Sequence, residues 1–545
     1  MIAITTNHEL YQKMWGVKQK SAFQKMPENA SPVSEWYKGR SVFITGGSGF
    51  MGKVMVEKLL YSCPDLKNIY LLLRTKRGKT PQQRIEDMFK LPMFERLRQS
   101  QPDAMKKIVP VSGDVNTDCL GLKSSDLELL VEEVSVVFHM AATLKLDAKL
   151  RDAVDQNTAG TARVIDVSKK MKHLAAFAHY STAFCSADVA EFEERVYEAK
   201  DDPRDVIDIC SWLNPEALDL ATPAIIAPHP NTYTYTKRLA ENLVADEKDN
   251  IPVCIIRPSI VIPSVKEPVP GWVDSLNGPI GLIAGAGKGV IRSMHCRGEN
   301  KGQFIPVDYA INAGICIAYL VGTKQTKQDE VPVYNLTTDA KISITYREIL
   351  DEGRKIIYDY PFEMQVWYPD GDIRSSKFIH NLFSIFFHWI PAILIDMIML
   401  ICGQKTFMLR IQKKIYDGLN LLQFFSVRDW VFRSENFLDL PNHLTEADIK
   451  KFPILEMASV QDYMLAALLG ARQYTLKEDL SSLPRCRRKQ KVLYVIHKLC
   501  VYGFYFYIFY LLSCYFSWVK IIYDLMKTSL GYIPLVGSLI TVSQE

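Results

Sequence analysis

The stretch from Ser41 to Leu60 constrains the fold most strongly, because it joins a strand, a glycine-rich turn and a helix. Its first residues, SVFIT, suit a buried β-strand, and a helical pattern begins near Phe50. In the turn TGGSGFMG, Gly46 would permit the tight bend, Gly49 would let the backbone approach a pyrophosphate, and Gly52 would let the helix pack on the sheet. A helix that begins here also offers free N–H groups to phosphate. We therefore expect a dinucleotide on this turn, with these candidate contact residues: Thr45, Gly46, Gly47, Ser48, Gly49, Phe50, Met51 and Gly52.

Short apolar runs recur after this turn and alternate with amphipathic stretches that read as helices. The further runs are NIYLLLR at 68–74, KIVPVSGD at 107–114, VSVVFHMAA from Val134, LAAFAHYST from Leu174 and IPVCIIRPS from Ile251. Strands that are apolar on both faces and separated by helices are typical of a parallel sheet covered on both sides. The sequence therefore predicts an α/β fold, a doubly wound parallel-sheet Rossmann domain over 38–380, after a polar lead segment at 1–37.

The chain changes character after residue 380, where helical periodicity replaces the strand pattern and predicts a small helical C-terminal domain over 381–482. The apolar stretch 378–405 opens this region, but Pro391 and Asp396 interrupt it. Its uninterrupted part is too short to span a bilayer comfortably. A buried helix or a helix lying at the membrane interface is therefore favoured over a span.

The last region, 483–545, is predicted to be a basic flank followed by a membrane anchor. Residues 499–519 carry no charge, are long enough to cross the hydrocarbon core, and are rich in tyrosine, which suits interfacial zones. The preceding sequence RCRRKQK would place that side, and the large α/β domain, in the cytosol. A buried helix pair and a re-entrant anchor remain alternatives to a single span.

Composition excludes several classes of function. A formal net charge of +4 gives no reason to expect nucleic acid as a partner. The 11 cysteines include no CxxC pair and no Cys/His cluster, so we expect free thiols and no metal site.

Basic residues at the end of the second predicted strand indicate which dinucleotide binds. An NAD-binding domain usually has an acidic residue there, whereas this chain has Arg74, followed by Lys76, Arg77 and Lys79. A cation at this point complements a 2′-phosphate, which predicts NADPH as the cofactor. Asp114 ends the third strand, where a carboxylate can reach the adenine region. The alternative is a solvated basic loop.

Tyr233 and Lys237 are the predicted catalytic pair. Their four-residue spacing puts both on one helix face, and an adjacent ammonium is expected to lower the pKa of the phenol. Such a tyrosine can give a proton to a carbonyl oxygen while hydride arrives at the carbon. Tyr235 competes for this role but has no lysine four residues later. In the preceding strand-end sequence HYSTAF, Thr182 is the preferred hydroxyl for holding the substrate oxygen, with Ser181 as its alternate.

This ordered set of motifs resembles the extended short-chain dehydrogenase/reductase superfamily over roughly 40–320. The sequences ITGGSGFMGKVMVEKLL, VFHMAATLKLD, NTYTYTKRLAE and IIRPSIVIPSVKEPVPGWVDSLNGP are similar to the fatty acyl-CoA reductases of animals, those of insects most of all. PAILIDMIMLICG looks like the C-terminal domain of that family. The usual VSTAY element appears here as YSTAF, which keeps the hydroxyl groups but lacks the phenol.

The resemblance implies a two-step reduction of a long-chain acyl-CoA by NADPH to a fatty alcohol, through an enzyme-bound aldehyde. It also assigns the catalytic pair to Tyr233 and Lys237, and the phosphate loop to Gly46, Gly49 and Gly52. The expected partners are the acyl-CoA and the membrane of the ER, a peroxisome or a lipid droplet. The alternatives are another membrane-bound reductase of the superfamily, acting on sterols or nucleotide sugars, and an inactive lipid-binding protein on the same fold.

Overall fold

The computed structural model describes residues 31–326, 330–337, 343–456 and 459–531. Most of the predicted lead segment, residues 1–30, lies outside the described residues, as does the end of the predicted anchor region, 532–545.

A seven-stranded, fully parallel sheet forms the centre of the molecule, with the strand order β3-β2-β1-β4-β5-β7-β11. Its strands are β1 (Ser41–Thr45), β2 (Ile69–Leu73), β3 (Ile108–Ser112), β4 (Val134–His139), β5 (Ala176–Tyr180), β7 (Val253–Pro258) and β11 (Val333–Leu336). Most residues of these strands are buried, as the continuous apolar runs predicted. The order reverses between β1 and β4, which is the switch point where an open α/β sheet binds its ligand. The predicted doubly wound Rossmann fold is confirmed.

Helices cover both faces of the sheet. Phe50–Ser62 and Val307–Gly322 share one apolar core with it, and Gly160–Ser168 and Thr232–Ala245 share the other. The other helices before residue 360 are Pro32–Tyr37, Pro81–Phe89, Glu95–Ser100, Ser124–Glu133, Leu150–Ala153, Pro203–Trp212, Pro215–Ile226, Pro279–Gly287 and Tyr346–Asp359. Pro81–Phe89 and Glu95–Ser100 are separate helices, because Leu91 and Pro92 interrupt the segment between them.

The C-terminal region is mainly helical, as predicted. Its helices are Lys377–Ser384, Ile390–Ile401, Met408–Ser426, Glu435–Asp439, Glu446–Lys451, Val460–Gly470 and Leu483–Gly531. A helical turn at Ile385–Trp389 joins the first two, so one helical segment runs across the predicted domain boundary at residue 380. The division into domains therefore stays a prediction.

Three short parallel pairs connect distant parts of the chain. They are β8 (Ile260–Ile262) with β10 (Phe304–Pro306), β9 (Ser293–His295) with β12 (Asp372–Arg374), and β6 (Glu191–Phe192) with β13 (Val431–Phe432). The last pair fastens the C-terminal region to the Rossmann domain.

Two of the described helical segments are long and apolar enough, by length and composition, to cross a membrane: Lys377–Ile401 and Leu480–Thr528. The second contains the predicted anchor at 499–519. The first was expected to be buried or interfacial, and its apolar side chains are largely exposed.

Candidate active site

The glycine turn has the geometry that its sequence predicts. Gly46 has a φ of +74°, a conformation that L side chains rarely adopt, and a Cβ there would lie 2.8 Å from the backbone nitrogen of Ala141. A Cβ on Gly52 would collide with the backbone of Gly46 and Gly47, so the helix can approach the turn only with glycine here. Gly49 caps the helix Phe50–Ser62 without a side-chain hydrogen bond, which leaves the N–H groups of the first helical turn free for an anion.

Two of the predicted contact residues lie behind this turn instead of facing the cavity in front of it. The buried hydroxyl of Thr45 lies 2.7 Å from His139 Nδ1 and accepts hydrogen bonds from the backbone N–H groups of Met140 and Ala141. A Cβ on Gly47 would meet the side chain of Leu71. Thr45 and Gly47 therefore shape the turn, and the lining of the cavity includes the other predicted members: Gly46, Ser48, Gly49, Phe50, Met51 and Gly52.

Two guanidinium groups face the cavity beside the turn. Arg74 forms an ion pair of 3.0 Å with Asp114, so the structure brings these two predicted residues together. Arg84, which sequence reasoning missed, donates to Ser48 Oγ at 2.7 Å and to the carbonyl of Arg74 at 2.8 Å. Partial burial and the neighbouring Arg74 lower the pKa of Arg84. An anion bound between these side chains would relieve the repulsion between two like charges.

Tyr233 and Lys237 both face the cavity from the helix Thr232–Ala245. Asn231 begins this helix by accepting a hydrogen bond of 3.0 Å from the N–H of Thr234. Lys237 Nζ donates to the carbonyl of Tyr180 at 2.7 Å. Burial lowers the pKa of Lys237 to about 8.

The expectation that Lys237 depresses the pKa of Tyr233 is wrong for this structure. Burial raises the pKa of the Tyr233 phenol well above its usual value, and a hydrogen bond with Thr182 offsets only part of that rise. The reason is that removing a phenolate from water costs more free energy than one hydrogen bond returns. The phenol therefore keeps its proton at neutral pH and, without ligands in the cavity, is a weaker acid than a free tyrosine.

The two predicted hydroxyl residues, Thr182 and Ser181, both line the cavity. Thr182 Oγ1 accepts a hydrogen bond of 3.3 Å from the N–H of Phe184 and contacts the phenol of Tyr233. Ser181 also faces the cavity, and its buried Oγ has no hydrogen-bond partner among the described residues. A buried polar atom without a partner costs free energy, which a ligand oxygen at this position would recover.

Tyr235, the competitor of Tyr233, is directed elsewhere. Its hydroxyl donates to Asp201 at 2.8 Å, and its ring packs in a separate apolar cluster with Leu239 and Val206. It therefore plays no part in the candidate site.

A buried ion pair that sequence reasoning missed lies behind Lys237. Arg257 holds Glu241 through two hydrogen bonds of 2.8 and 2.6 Å, and both side chains are almost fully buried. The carboxylate of Glu241 raises the pKa of Lys237 and so opposes the effect of burial. Glu241 lies four residues after Lys237 on the same helix, and this spacing is the signal that could have indicated it.

One cavity of about 800 Å³ joins these groups to an apolar arm. The arm runs between the helices Pro279–Gly287, Tyr346–Asp359 and Val460–Gly470. Its lining includes Ile283, Ile349, Ile356, Phe425, Met464 and Leu468. The glycine turn and the helix Thr232–Ala245 thus contribute to the polar end of the cavity, and these three helices contribute most of the apolar end.

Comparison with known proteins identifies the family. A family model described as male sterility protein matches residues 44–314, and a second model with the same description matches 387–478. A putative fatty acyl-CoA reductase of Drosophila melanogaster is 37% identical over 89% of this chain and 95% of its own length. Fatty acyl-CoA reductase 1 of Homo sapiens is 34% identical over 84% of this chain and 88% of its own length.

The chain belongs to the fatty acyl-CoA reductase family. It is accordingly an oxidoreductase that depends on a nicotinamide cofactor. The resemblance that its motifs indicated is confirmed.

Solved structures support the fold of this family member. The terminal reductase domain of the myxalamid biosynthetic pathway has a TM-score of 0.54 at 17% identity, over 80% of this chain and 91% of that chain. The reductase domain of a nonribosomal peptide synthetase from Mycobacterium tuberculosis has a TM-score of 0.52 at 16% identity, over 79% of this chain and 91% of that chain. At these identities the likeness shows a shared fold.

Proposed function

We propose that this protein is an alcohol-forming fatty acyl-CoA reductase, which converts a long-chain acyl-CoA and two NADPH to a fatty alcohol through an enzyme-bound aldehyde. One observation carries the proposal: a single cavity connects the glycine turn, the Tyr233/Lys237 pair and an apolar arm. Such a cavity can hold a dinucleotide and an acyl chain so that their reactive ends meet beside Tyr233.

The choice of NADPH over NADH rests on the two guanidinium groups beside the turn. Arg74 and Arg84 can hold a 2′-phosphate, for which bidentate guanidinium contacts are well suited. Asp114 would then keep Arg74 in position and border the adenine region. The free N–H groups after Gly49 would receive the pyrophosphate.

A bound reduced nicotinamide would supply the hydride in both steps. Thr182 and Ser181 would hold the carbonyl oxygen of the thioester, and Tyr233 would donate a proton as negative charge develops on that oxygen. Lys237, held by the carbonyl of Tyr180, would bring a positive charge to the cavity in which the oxyanion develops. The phenolate of Tyr233 would then take back the hydroxyl proton of the hemithioacetal as its C–S bond breaks, and CoA would leave as a thiolate, which departs far more readily than an alkoxide. This returns Tyr233 to its protonated form. The same residues would act on the aldehyde in the second step.

The membrane anchor and its orientation belong to the same proposal. The helix Leu483–Gly531 contains the uncharged run 499–519 and begins with a basic stretch, which supports a single span with the catalytic domain in the cytosol. The anchor would hold the protein in the membrane of the ER, a peroxisome or a lipid droplet. An apolar product released beside a membrane can partition into it.

Product analysis tests the proposal directly. The full chain is expressed in yeast, purified in detergent, and supplied with palmitoyl-CoA and either NADPH or NADH. We expect hexadecanol by mass spectrometry with NADPH, and little product from the Tyr233→Phe variant. Turnover of a steroid or a nucleotide sugar in place of the acyl-CoA would overturn the proposal. Alcohol formation that is unchanged by Tyr233→Phe would overturn the assigned mechanism.

A further inference from the structure

The helical segment Lys377–Ile401 has its polar residues inside and its apolar residues outside. His380, Ser384, His388 and Asp396 follow one another at intervals of four or eight residues and are at most 6% exposed. On the remaining surface Phe378, Ile398, Leu400 and Ile401 are 76, 61, 70 and 85% exposed, together with other large apolar side chains. A helix on the surface of a soluble protein has the opposite arrangement.

Hydrogen bonds fix the polar side of this segment against the rest of the molecule. His380 Nδ1 lies 2.9 Å from Ser293 Oγ, and His388 Nε2 accepts from the N–H of Arg292 at 2.8 Å. These contacts determine which face of the segment points inward. The apolar side chains are therefore held outward by specific bonds.

Asp396 joins this segment to the next helix. Its carboxylate accepts hydrogen bonds from the backbone N–H groups of residues 407–409, which start the helix Met408–Ser426. The two helices form a hairpin over residues 377–426, which we call the apolar hairpin. Its second helix also buries a polar side chain, Gln412, and exposes Leu409 and Ile411.

The apolar hairpin and the predicted anchor helix both contact the ion pair between Arg292 and Asp370. Arg292 binds Asp370 through two hydrogen bonds of 3.1 and 2.9 Å. The backbone of Arg292 binds His388 of the hairpin, and Asp370 lies 3.4 Å from Nε2 of His497 in the anchor helix. The hairpin therefore lies next to the start of the segment that is proposed to enter the membrane.

The basic residues of the apolar hairpin, and its position beside the cavity, both suit contact with a lipid surface. The exposed residues Lys405, Arg410 and Lys414 are on the turn and second helix of the hairpin, where they can reach anionic headgroups. Leu422 and Phe425 of that second helix also line the apolar arm of the cavity. A bilayer against the hairpin would thus lie beside the part of the cavity that suits an acyl chain.

We infer that the apolar hairpin is a second membrane contact, which lies in the interface of an anionic bilayer without crossing it. Its exposed apolar area would then be removed from water by lipid. The contact goes beyond the proposed reaction. This membrane contact would orient the catalytic domain so that the apolar arm of the cavity lies towards the lipid.

Photolabelling by lipid tests this contact in the full chain. The protein is reconstituted into vesicles of phosphatidylcholine and phosphatidylserine that contain a phospholipid with a diazirine in its acyl chain. We expect labelled residues within 378–401 as well as within 499–519, and much weaker labelling around Leu220, which is 84% exposed but lies outside the hairpin. Vesicles of phosphatidylcholine alone should label the hairpin less and the anchor equally.

A matched pair of variants distinguishes lipid contact by the hairpin from labelling that any exposed apolar residue would show. The double variant Ile398→Glu, Ile401→Glu should lose hairpin labelling severalfold and keep anchor labelling, whereas Leu220→Glu should change neither. The inference is overturned if the hairpin is labelled no more than the region around Leu220. It is also overturned if the hairpin crosslinks to a second copy of the chain instead of to lipid. Labelling requires no turnover, so this result is independent of the proposed reaction.

Discussion

Gly353 gives the sharpest test of the apolar arm. It lies in the middle of the helix Tyr346–Asp359 and lines the cavity. A Cβ added at this position would find Met464 Cε, at 3.9 Å, as its nearest neighbour, so a side chain has room to extend into the arm. The substitution Gly353→Leu should therefore shorten the space for the acyl chain without disturbing the helix.

The loss of binding free energy in Gly353→Leu follows from the length of acyl chain that the new side chain displaces. If the leucine side chain excludes about four methylene groups from the arm, and each buried methylene contributes about 0.8 kcal/mol, binding of a long chain loses about 3 kcal/mol. That loss corresponds to about 200-fold in kcat/KM. The helix itself should become more stable, because an interior glycine costs up to about 1 kcal/mol relative to alanine.

The assay compares kcat/KM for acyl-CoA substrates of increasing chain length. Gly353→Leu should lower the value for stearoyl-CoA by about two orders of magnitude and leave that for a short acyl-CoA nearly unchanged. Gly418→Leu is the matched control, since Gly418 is also inside a helix and a Cβ added there would meet nothing within 4 Å, but it is not among the cavity-lining residues. Equal losses for short and long chains, or no change of preference, would refute the path assigned to the acyl chain.

Three further predictions concern the cofactor end of the cavity. Because burial lowers the pKa of Lys237 to about 8, its ammonium is present below that pH and lost above it. The value of kcat/KM for NADPH should accordingly fall as pH rises through about 8, and a flat profile between pH about 6 and 10 would contradict the role of the ammonium. Arg84→Met should raise KM for NADPH by about tenfold and leave KM for NADH unchanged, since it removes a charge-assisted hydrogen bond to the 2′-phosphate. Gly52→Ala should destabilise the protein by about 1–3 kcal/mol in urea unfolding, because its Cβ would collide with the turn at Gly46, and a wild-type midpoint would contradict that packing.

The sequence predicts those strands, turns and helices that depend on residues close together in the chain. The strand SVFIT, the glycine turn and the helix from Phe50 follow one another within twenty residues, and each is present as predicted. The spacing of Tyr233 and Lys237 likewise places both on one helix face. The parallel sheet follows from the repeated apolar runs, because strands buried on both faces leave few alternative arrangements.

The remaining features depend on residues that are distant in the sequence. Arg84 reaches the turn because the helix Pro81–Phe89 packs near it, and nothing in the local sequence distinguishes it from other charged residues. The pKa of Tyr233 depends on burial by several elements, so the spacing to Lys237 alone predicted the wrong direction. The apolar hairpin does have a sequence signal, namely the polar side chains at intervals of four or eight residues from His380 to Asp396. Without the structure, that repeat does not reveal which face is buried.

The most direct test of the central claim is a cryo-EM structure of the full chain in lipid nanodiscs with NADP⁺ and a non-reactive thioether analogue of palmitoyl-CoA. We expect the pyrophosphate at Gly49, the nicotinamide within reach of the Tyr233 hydroxyl, and the acyl chain in the apolar arm beside Gly353. Nucleotide bound elsewhere, or an acyl chain that leaves the cavity without passing Gly353, would contradict the central claim.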